Sequence, residues 1–422
     1  MKGIYYRIIT TDCIDISKRN SIQLLGLCKT SIFKSFGEDI MKYFGEEFNV
    51  IKRDGIICTM SGSTQKFDIE IAYFSLDSKE ASYLIGLKQG FTHNFCCRFC
   101  TISRQDFKSY FFEDEALLRT PENYRLALNE ALIDASSPSC FGIERNNLLR
   151  FFNCQDSFFK VPPCIDHDFY EGLAPKILKN IINRLLYKKL ISNHHLNQRI
   201  KVLNLKGKDK YAFPTINLQN AKLRLTMNEC LNLLRFLPYL LHDCFQPNDG
   251  LQQLLFMLCE ISNSISSFSH TIDSIVYLKT LISDFLQLCQ SELQDLNITI
   301  KLHHLIHYPR IILMFGPLKY LSTINFESQH SFLKSLIRSS KNWINPALTI
   351  ATKYARFNCI SNIQQNSYSI ANTPFSVPIV IRNLIGENYG QIKSLNSLTM
   401  NGVKYCKNQV IWYRKVDEIL FY

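Results

Sequence analysis

The chain has 422 residues, 46% of them hydrophobic and 20% charged, which is enough apolar material for roughly two or three structural units and excludes a disordered protein. A formal net charge of +12 and a pI near 8.9 suit a nucleic-acid partner without requiring one. Fifteen cysteines, scattered and odd in number, with no N-terminal secretory pattern, point to a reducing intracellular compartment.

No stretch reaches the ~18 consecutive apolar residues of a membrane-spanning helix; the most apolar, Leu231 to Leu241, is interrupted by Asn232, Arg235 and Pro238. Gly3 to Ile9 and Ser21 to Leu27 read as strands, and apolar residues from Ile32 to Phe48 recur at helical spacing. After a polar loop, Asp68 to Leu76 reads as a sheet-interior strand ending in Asp77, followed by a helix over Glu80 to Lys88. An acidic residue at the C-terminal tip of a central strand is a common place for chemistry in sheets flanked by helices. From Pro175 to about Phe357 the pattern is helical, with segments at Lys176 to Leu190, Met227 to Leu241, Leu251 to Phe268 and Ser274 to Leu293. The tail reads as a small β unit, with a strand at Val377 to Ile381 and a hairpin turn at Asn401-Gly402.

The sharpest local signal pairs Cys97-Arg98-Phe99-Cys100 with Cys164-Ile165-Asp166-His167. Three thiolates and an imidazole make a tetrahedral structural zinc set; Cys96 could replace Cys97, but the three-residue step to Cys100 suits a knuckle less well. A second constellation is acidic: Asp77, then Asp166, Asp168 and Glu171, then Glu327 in Asn-Phe-Glu-Ser-Gln-His. Separated carboxylates of this kind can converge on two divalent ions for phosphoryl transfer, or each can be a cap or a solvated charge. His303, His304 and His307 could chelate a metal, but the segment holds no cysteine or carboxylate, and a helix with a polar histidine face ended by Pro309 is the favoured reading. Lys334, Arg338, Lys341, Lys353 and Arg356 form a basic helical series suited to a phosphate backbone, or to solvent.

Taken in order, the strand ending in Asp77, the Cys-x-x-Cys, the Cys-x-x-His, the helical block and His-Tyr-Pro-Arg…Gly-Pro-Leu…Asn-Phe-Glu-Ser-Gln-His resemble transposase-derived proteins related to the CACTA and hAT-like eukaryotic transposons. The resemblance spans nearly the whole chain. It implies an α+β fold: an incomplete RNase H-like mixed sheet carrying a large all-helical insertion, with a small C-terminal β unit. The expected organisation is a partial core over 1–95, a zinc-knuckle-like connector over 96–173, the insertion over 174–310, returning core helices over 311–370 and the β unit over 371–422. Asp77 matches the family's second catalytic Asp and Glu327 its Glu, as magnesium ligands; Cys97, Cys100, Cys164 and His167 match its cysteine and histidine motifs, as zinc ligands; and His167 to Gly172 matches its His-Asp-x-x-Glu-Gly stretch.

The first catalytic Asp of the family would fall upstream of Met1, and Asp12 and Asp15 are poor substitutes. Around Asp77 the family's Gly-Asp-Asn-Leu-Gly is replaced by Leu76-Asp77-Ser78-Lys79-Glu80. The expectation is therefore a nuclear, transposase-derived protein whose ancestral metal-dependent DNA cleavage and strand transfer is lost. DNA is the ancestral partner, contacted through Lys334, Arg338 and Lys341, and a homo-oligomer is open. The alternative is a non-catalytic DNA- or protein-binding module held by a zinc-stapled helical domain.

Overall fold

The computed structural model describes residues 2–9, 21–60, 63–134, 136–154, 156–203, 215–220, 222–294, 296–340 and 344–365, together with five short strands beyond them. Strand β1 (Lys2–Arg7) pairs antiparallel with β2 (Ile22–Cys28), Lys2 opposite Cys28 and Arg7 opposite Ile22, across a bulge at Ile4/Tyr5. Alternation gives this ladder two apolar faces. Ile4 and Cys28 pack on the N-terminal core, whereas Tyr5, Leu24 and Leu27 pack against residues from near the C-terminal end of the helical region.

Helix α1 (Thr30–Asp54) buries Phe33, Gly37, Met41 and Gly45, one residue per turn on a single stripe. Gly45 permits the close approach of a neighbouring loop: a Cβ there would sit 2.5 Å from the Phe151 carbonyl oxygen. A hairpin of β3 (Ile56–Met60) and β4 (Ser63–Phe67) follows where a polar loop was expected, and all five β4 residues are exposed. Asp68 to Leu76 joins no ladder, which corrects the expected sheet-interior strand. It is held by scattered bonds instead: the Phe74 N–H donates to the Lys160 carbonyl at 2.8 Å, Tyr73 Oη to the Tyr320 carbonyl at 3.1 Å and Ser75 Oγ to the Leu321 carbonyl at 2.8 Å.

Helix α2 (Ser78–Leu84) begins at Asp77, and a connector of short turns and α3 (Pro121–Ile133) completes the N-terminal core. A π-helical turn over Asp166–Leu173 then runs directly into α4 (Ala174–Tyr187). The helices α5 (Asn193–Val202), α6 (Met227–Leu240), α7 (Gly250–Ile265) and α8 (Ile272–Glu292) form the main core with α4. Capping boxes at Thr226/Glu229 and Thr271/Ser274 set the starts of α6 and α8. Leu254, Leu255, Leu258 and Ile261 of α7 are fully buried, each worth about 1.5–3 kcal/mol of transfer free energy.

The histidine segment is a short helix α9 (Ile300–His303), a 3₁₀ turn over His304–His307 and α10 (Tyr308–Phe315). Pro309 therefore sits in the first turn of α10, where its missing N–H has no cost, and starts a helix where the sequence reading had it end one. Helices α11 (Ile324–Ser340) and α12 (Pro346–Gln365) return to β2. Beyond them lie β5 (Ser369–Ile370), β6 (Ser397–Met400), β7 (Val403–Cys406), β8 (Trp412–Lys415) and β9 (Glu418–Phe421). Met400 pairs with Val403, and the expected turn residues Asn401-Gly402, like Val377 to Ile381, lie outside the described residues. The fold is α+β and dominated by helices. The described strands pair only in small antiparallel sheets, so the expected mixed sheet is not assembled among them. Among the described residues no helix is long and apolar enough to cross a membrane.

Candidate metal centre

Cys97 and Cys100 lie on a tight knuckle between Phe95 and Thr101, and its backbone is fixed from outside. The Arg119 Nε–H donates to the Cys97 carbonyl at 3.0 Å, the Thr101 N–H to the Leu117 carbonyl at 2.8 Å, and the Phe99 N–H to Cys97 Sγ at 3.4 Å. His303 and His307 approach from α9 and the turn after it, one helical turn apart. Their Nε2 atoms lie 3.4 Å from each other; Cys97 Sγ is 3.5 Å from His307 Nε2 and Cys100 Sγ is 3.1 Å from His303 Nε2.

All four side chains are buried, and one donor atom from each falls within 4.8 Å of all the others. Bond lengths of about 2.3 Å to sulfur and 2.0–2.1 Å to nitrogen in a zinc tetrahedron imply donor separations of about 3.3–3.8 Å, and the three distances above fall within a few tenths of an ångström of that range. The residues fit zinc: two thiolates and two imidazoles, with no carboxylate or water-facing position.

The surroundings agree with that chemistry. Glu113 Oε1 lies 2.5 Å from His307 Nδ1 and also accepts from Arg310 Nε at 2.9 Å, so the His307 ring is oriented with Nε2 toward the sulfurs. Phe107 stacks on His303 with centroids 3.9 Å apart, and Phe99 lies 5.2 Å from the rings of both His304 and His307. Burial pushes the Cys97 thiol up, but the Cys100 hydrogen bond and the neighbouring His307 and His303 outweigh it and hold Cys97 well below the ordinary thiol range. Cys100, buried and hydrogen-bonded to Cys97, is pushed well above it. Burial lowers His303 to about 4, which keeps its nitrogens available as ligands near neutral pH.

The zinc set read from the sequence is thus half assembled. Cys97 and Cys100 meet His303 and His307, while Cys164 and His167 belong to a second, separate cluster; Cys96 is buried outside the group. Cys164 Sγ lies 3.0 Å from Thr323 Oγ1, 3.4 Å from Asp166 Oδ2 and 3.4 Å from His167 Nδ1. Burial and the Asp166 charge push the Cys164 thiol up to about 12, the state of an inert thiol. The correction has a simple cause. A histidine pair with the i, i+4 spacing of a metal-binding helix was visible, but its cysteines lie more than 200 positions earlier, where local spacing carries no information.

The carboxylates are engaged separately. Asp77 caps α2, its Oδ1 accepting the Glu80 N–H at 2.8 Å. Glu327 Oε1 lies 3.2 Å from His167 Nε2 and accepts from Thr323 Oγ1 at 3.2 Å. Burial, reinforced by Glu171 and Asp166, raises the Glu327 carboxyl despite His167 and Thr323. Asp166, 1% exposed, accepts from Ser322 Oγ. Asp168 accepts from Ser78 Oγ at 2.7 Å and lies 2.9 Å from His304 Nδ1, linking α2, the π turn and the histidine segment. Lys334 and Arg338 are exposed on α11, and Lys341, Asp12 and Asp15 lie outside the described residues. No protein-family model matches the chain, and no curated protein matches it.

Proposed function

We propose that this chain is a transposase-derived, DNA-associating protein in which a zinc staple preserves the scaffold and strand cleavage has been given up. The observation that carries the reading is the Cys97–Cys100–His303–His307 centre, which ties the connector to the end of the helical block across more than 200 residues. An RNase H-like core interrupted by a helical insertion needs such a tie, because its two catalytic halves are separated in sequence. The segment ending in Asp77 meets the turn leading to Glu327 where Ser75 Oγ donates to the Leu321 carbonyl.

The loss of cleavage is supported by how the two carboxylates are used. Asp77 is occupied as a helix cap, and Glu327 is bonded to His167 and Thr323. Two-metal phosphoryl transfer requires ionised carboxylates that share ions about 3.5–4 Å apart. Exposed Lys334 and Arg338, one turn apart on α11, offer a phosphate-binding face.

The test pairs binding with cleavage on the zinc-loaded chain. Duplex DNA should bind with an affinity that falls steeply with salt and weakens in Lys334→Ala/Arg338→Ala, and magnesium or manganese should produce no nicking. Absence of salt-dependent binding would defeat the DNA reading. Nicking abolished by Asp77→Ala and by Glu327→Ala would make the protein an active nuclease instead.

A further inference from the structure

Beside the metal centre, three arginines line one small cavity of about 20 Å³ together with Phe99, Phe158, Phe159, Val161, Ile311, Met314 and Phe315. Arg98 and Arg119 are 5% and 6% exposed, and the cavity lining contains no carboxylate. Their protein partners are carbonyl oxygens: Arg98 Nη2 donates to Pro162 at 3.3 Å, and Arg119 donates to Cys97 at 3.0 Å and to Phe141 at 2.6 Å. The buried Arg98 Nε–H has no hydrogen-bond partner among the described residues, although the guanidinium rests on the Phe99 ring. Arg310 alone has a bonded carboxylate, Glu113.

Carbonyl dipoles do not neutralise a guanidinium, and removing an ion from water costs several kcal/mol unless a counter-charge compensates. Asp168 is close enough to be influenced by Arg98, but its own bonds go to His304 and Ser78. With zinc balanced by two thiolates, Arg98, Arg119 and Arg310 outnumber the carboxylates beside them, Asp168 and Glu113, and Lys301 near Asp168 adds further to the positive side. The cavity has room for one or two water-sized particles. Phosphate and larger oxyanions are excluded by size, and the phenylalanine-rich wall favours a weakly hydrated ion.

We infer that the cavity binds a single monovalent halide, chloride under ordinary conditions, held by Arg98 and Arg119 with Arg310 at its edge. Arg98 occupies the first x of Cys97-x-x-Cys100, and Arg119 holds the Cys97 carbonyl, so the anion completes the support of the metal knuckle.

The zinc-loaded full chain is melted in sodium chloride, sodium bromide and sodium gluconate at equal ionic strength, and crystals grown in bromide are measured at the bromine absorption edge. The expected results are a saturable rise in Tm, on the order of 2–4 °C, in chloride and bromide over gluconate, and its loss in Arg98→Gln. An anomalous peak between Arg98, Arg119 and Arg310 is also expected. No halide-specific shift in the wild-type chain, an equal shift in Arg98→Gln, or no bromine at this position would overturn the inference. Should Arg98→Gln fail to fold, the wild-type bromine signal decides.

Discussion

Removal of zinc from the Cys97–Cys100–His303–His307 centre tests the staple most directly, and its cost follows from the chain length it closes. Cys100 and His303 are separated by 203 positions, and fixing the ends of such a loop removes about 5 kcal/mol of denatured-state entropy. Whole domains are stable by only about 5–15 kcal/mol, so this one link is a large share of the total. With an unfolding entropy of about 0.9 kcal/mol/K for a chain of this size, the loss should lower Tm by about 6 °C. Calorimetry of the zinc-loaded, chelated and reconstituted chain measures the shift, with bound zinc quantified on each sample. His303→Ala should behave like the chelated chain, whereas Cys164→Ser should retain about one zinc per molecule and melt close to wild type. A metal-free chain that melts within about 2 °C of the loaded one would refute the loop argument. Zinc retained in His303→Ala but lost in Cys164→Ser would refute the ligand assignment.

Further outcomes follow from the same contacts. Cobalt substituted for zinc should give the absorption of a tetrahedral dithiolate site, abolished in Cys97→Ser and unchanged in His167→Ala. Arg119→Met should destabilise by about 2–4 kcal/mol in chemical denaturation, because the Cys97 and Phe141 carbonyls lose a buried charged donor. Burial would raise the Asp168 carboxyl, but its bond to His304 and the charges of His304, Arg98 and Lys301 hold it well below the usual carboxylate range. Its contribution is therefore complete above the unfolded value near pH ~3.9 and is lost as pH falls through the folded one; Asp168→Asn should flatten that acid limb in pH-dependent unfolding. Cys164, raised to about 12, should resist alkylation at pH ~8 in the native chain and react on unfolding; rapid native labelling would contradict its buried, protonated state.

The legible part of this sequence was its local periodicity. The α7 and α8 stripes and the β1 and β2 strands each follow from residues within a few positions of one another, and the elements form close to where periodicity put them. Asp68 to Leu76 has the composition of a strand, yet strand formation needs a neighbour, and propensity does not supply one. The centre was half legible for the same reason. Cys97 and Cys100 announce a knuckle, but the choice between His167 and the His303/His307 pair depends on the path of the intervening helices. Cys164 and His167 kept a plausible local spacing while being drawn to Thr323 and Glu327.

The separation of the two halves of the staple also has a consequence for synthesis. At about 5–20 residues per second, a ribosome that has made Cys100 needs roughly 10–40 s more to deliver His303. Throughout that interval the knuckle exists as two neighbouring thiols without the His303 and His307 imidazoles, open to oxidation or to capture of zinc by other cysteines in the nascent chain. The main core formed by α4 to α8 is made during the same interval, so a native chain must hold its first two ligands in reserve while its largest folding unit collapses between them.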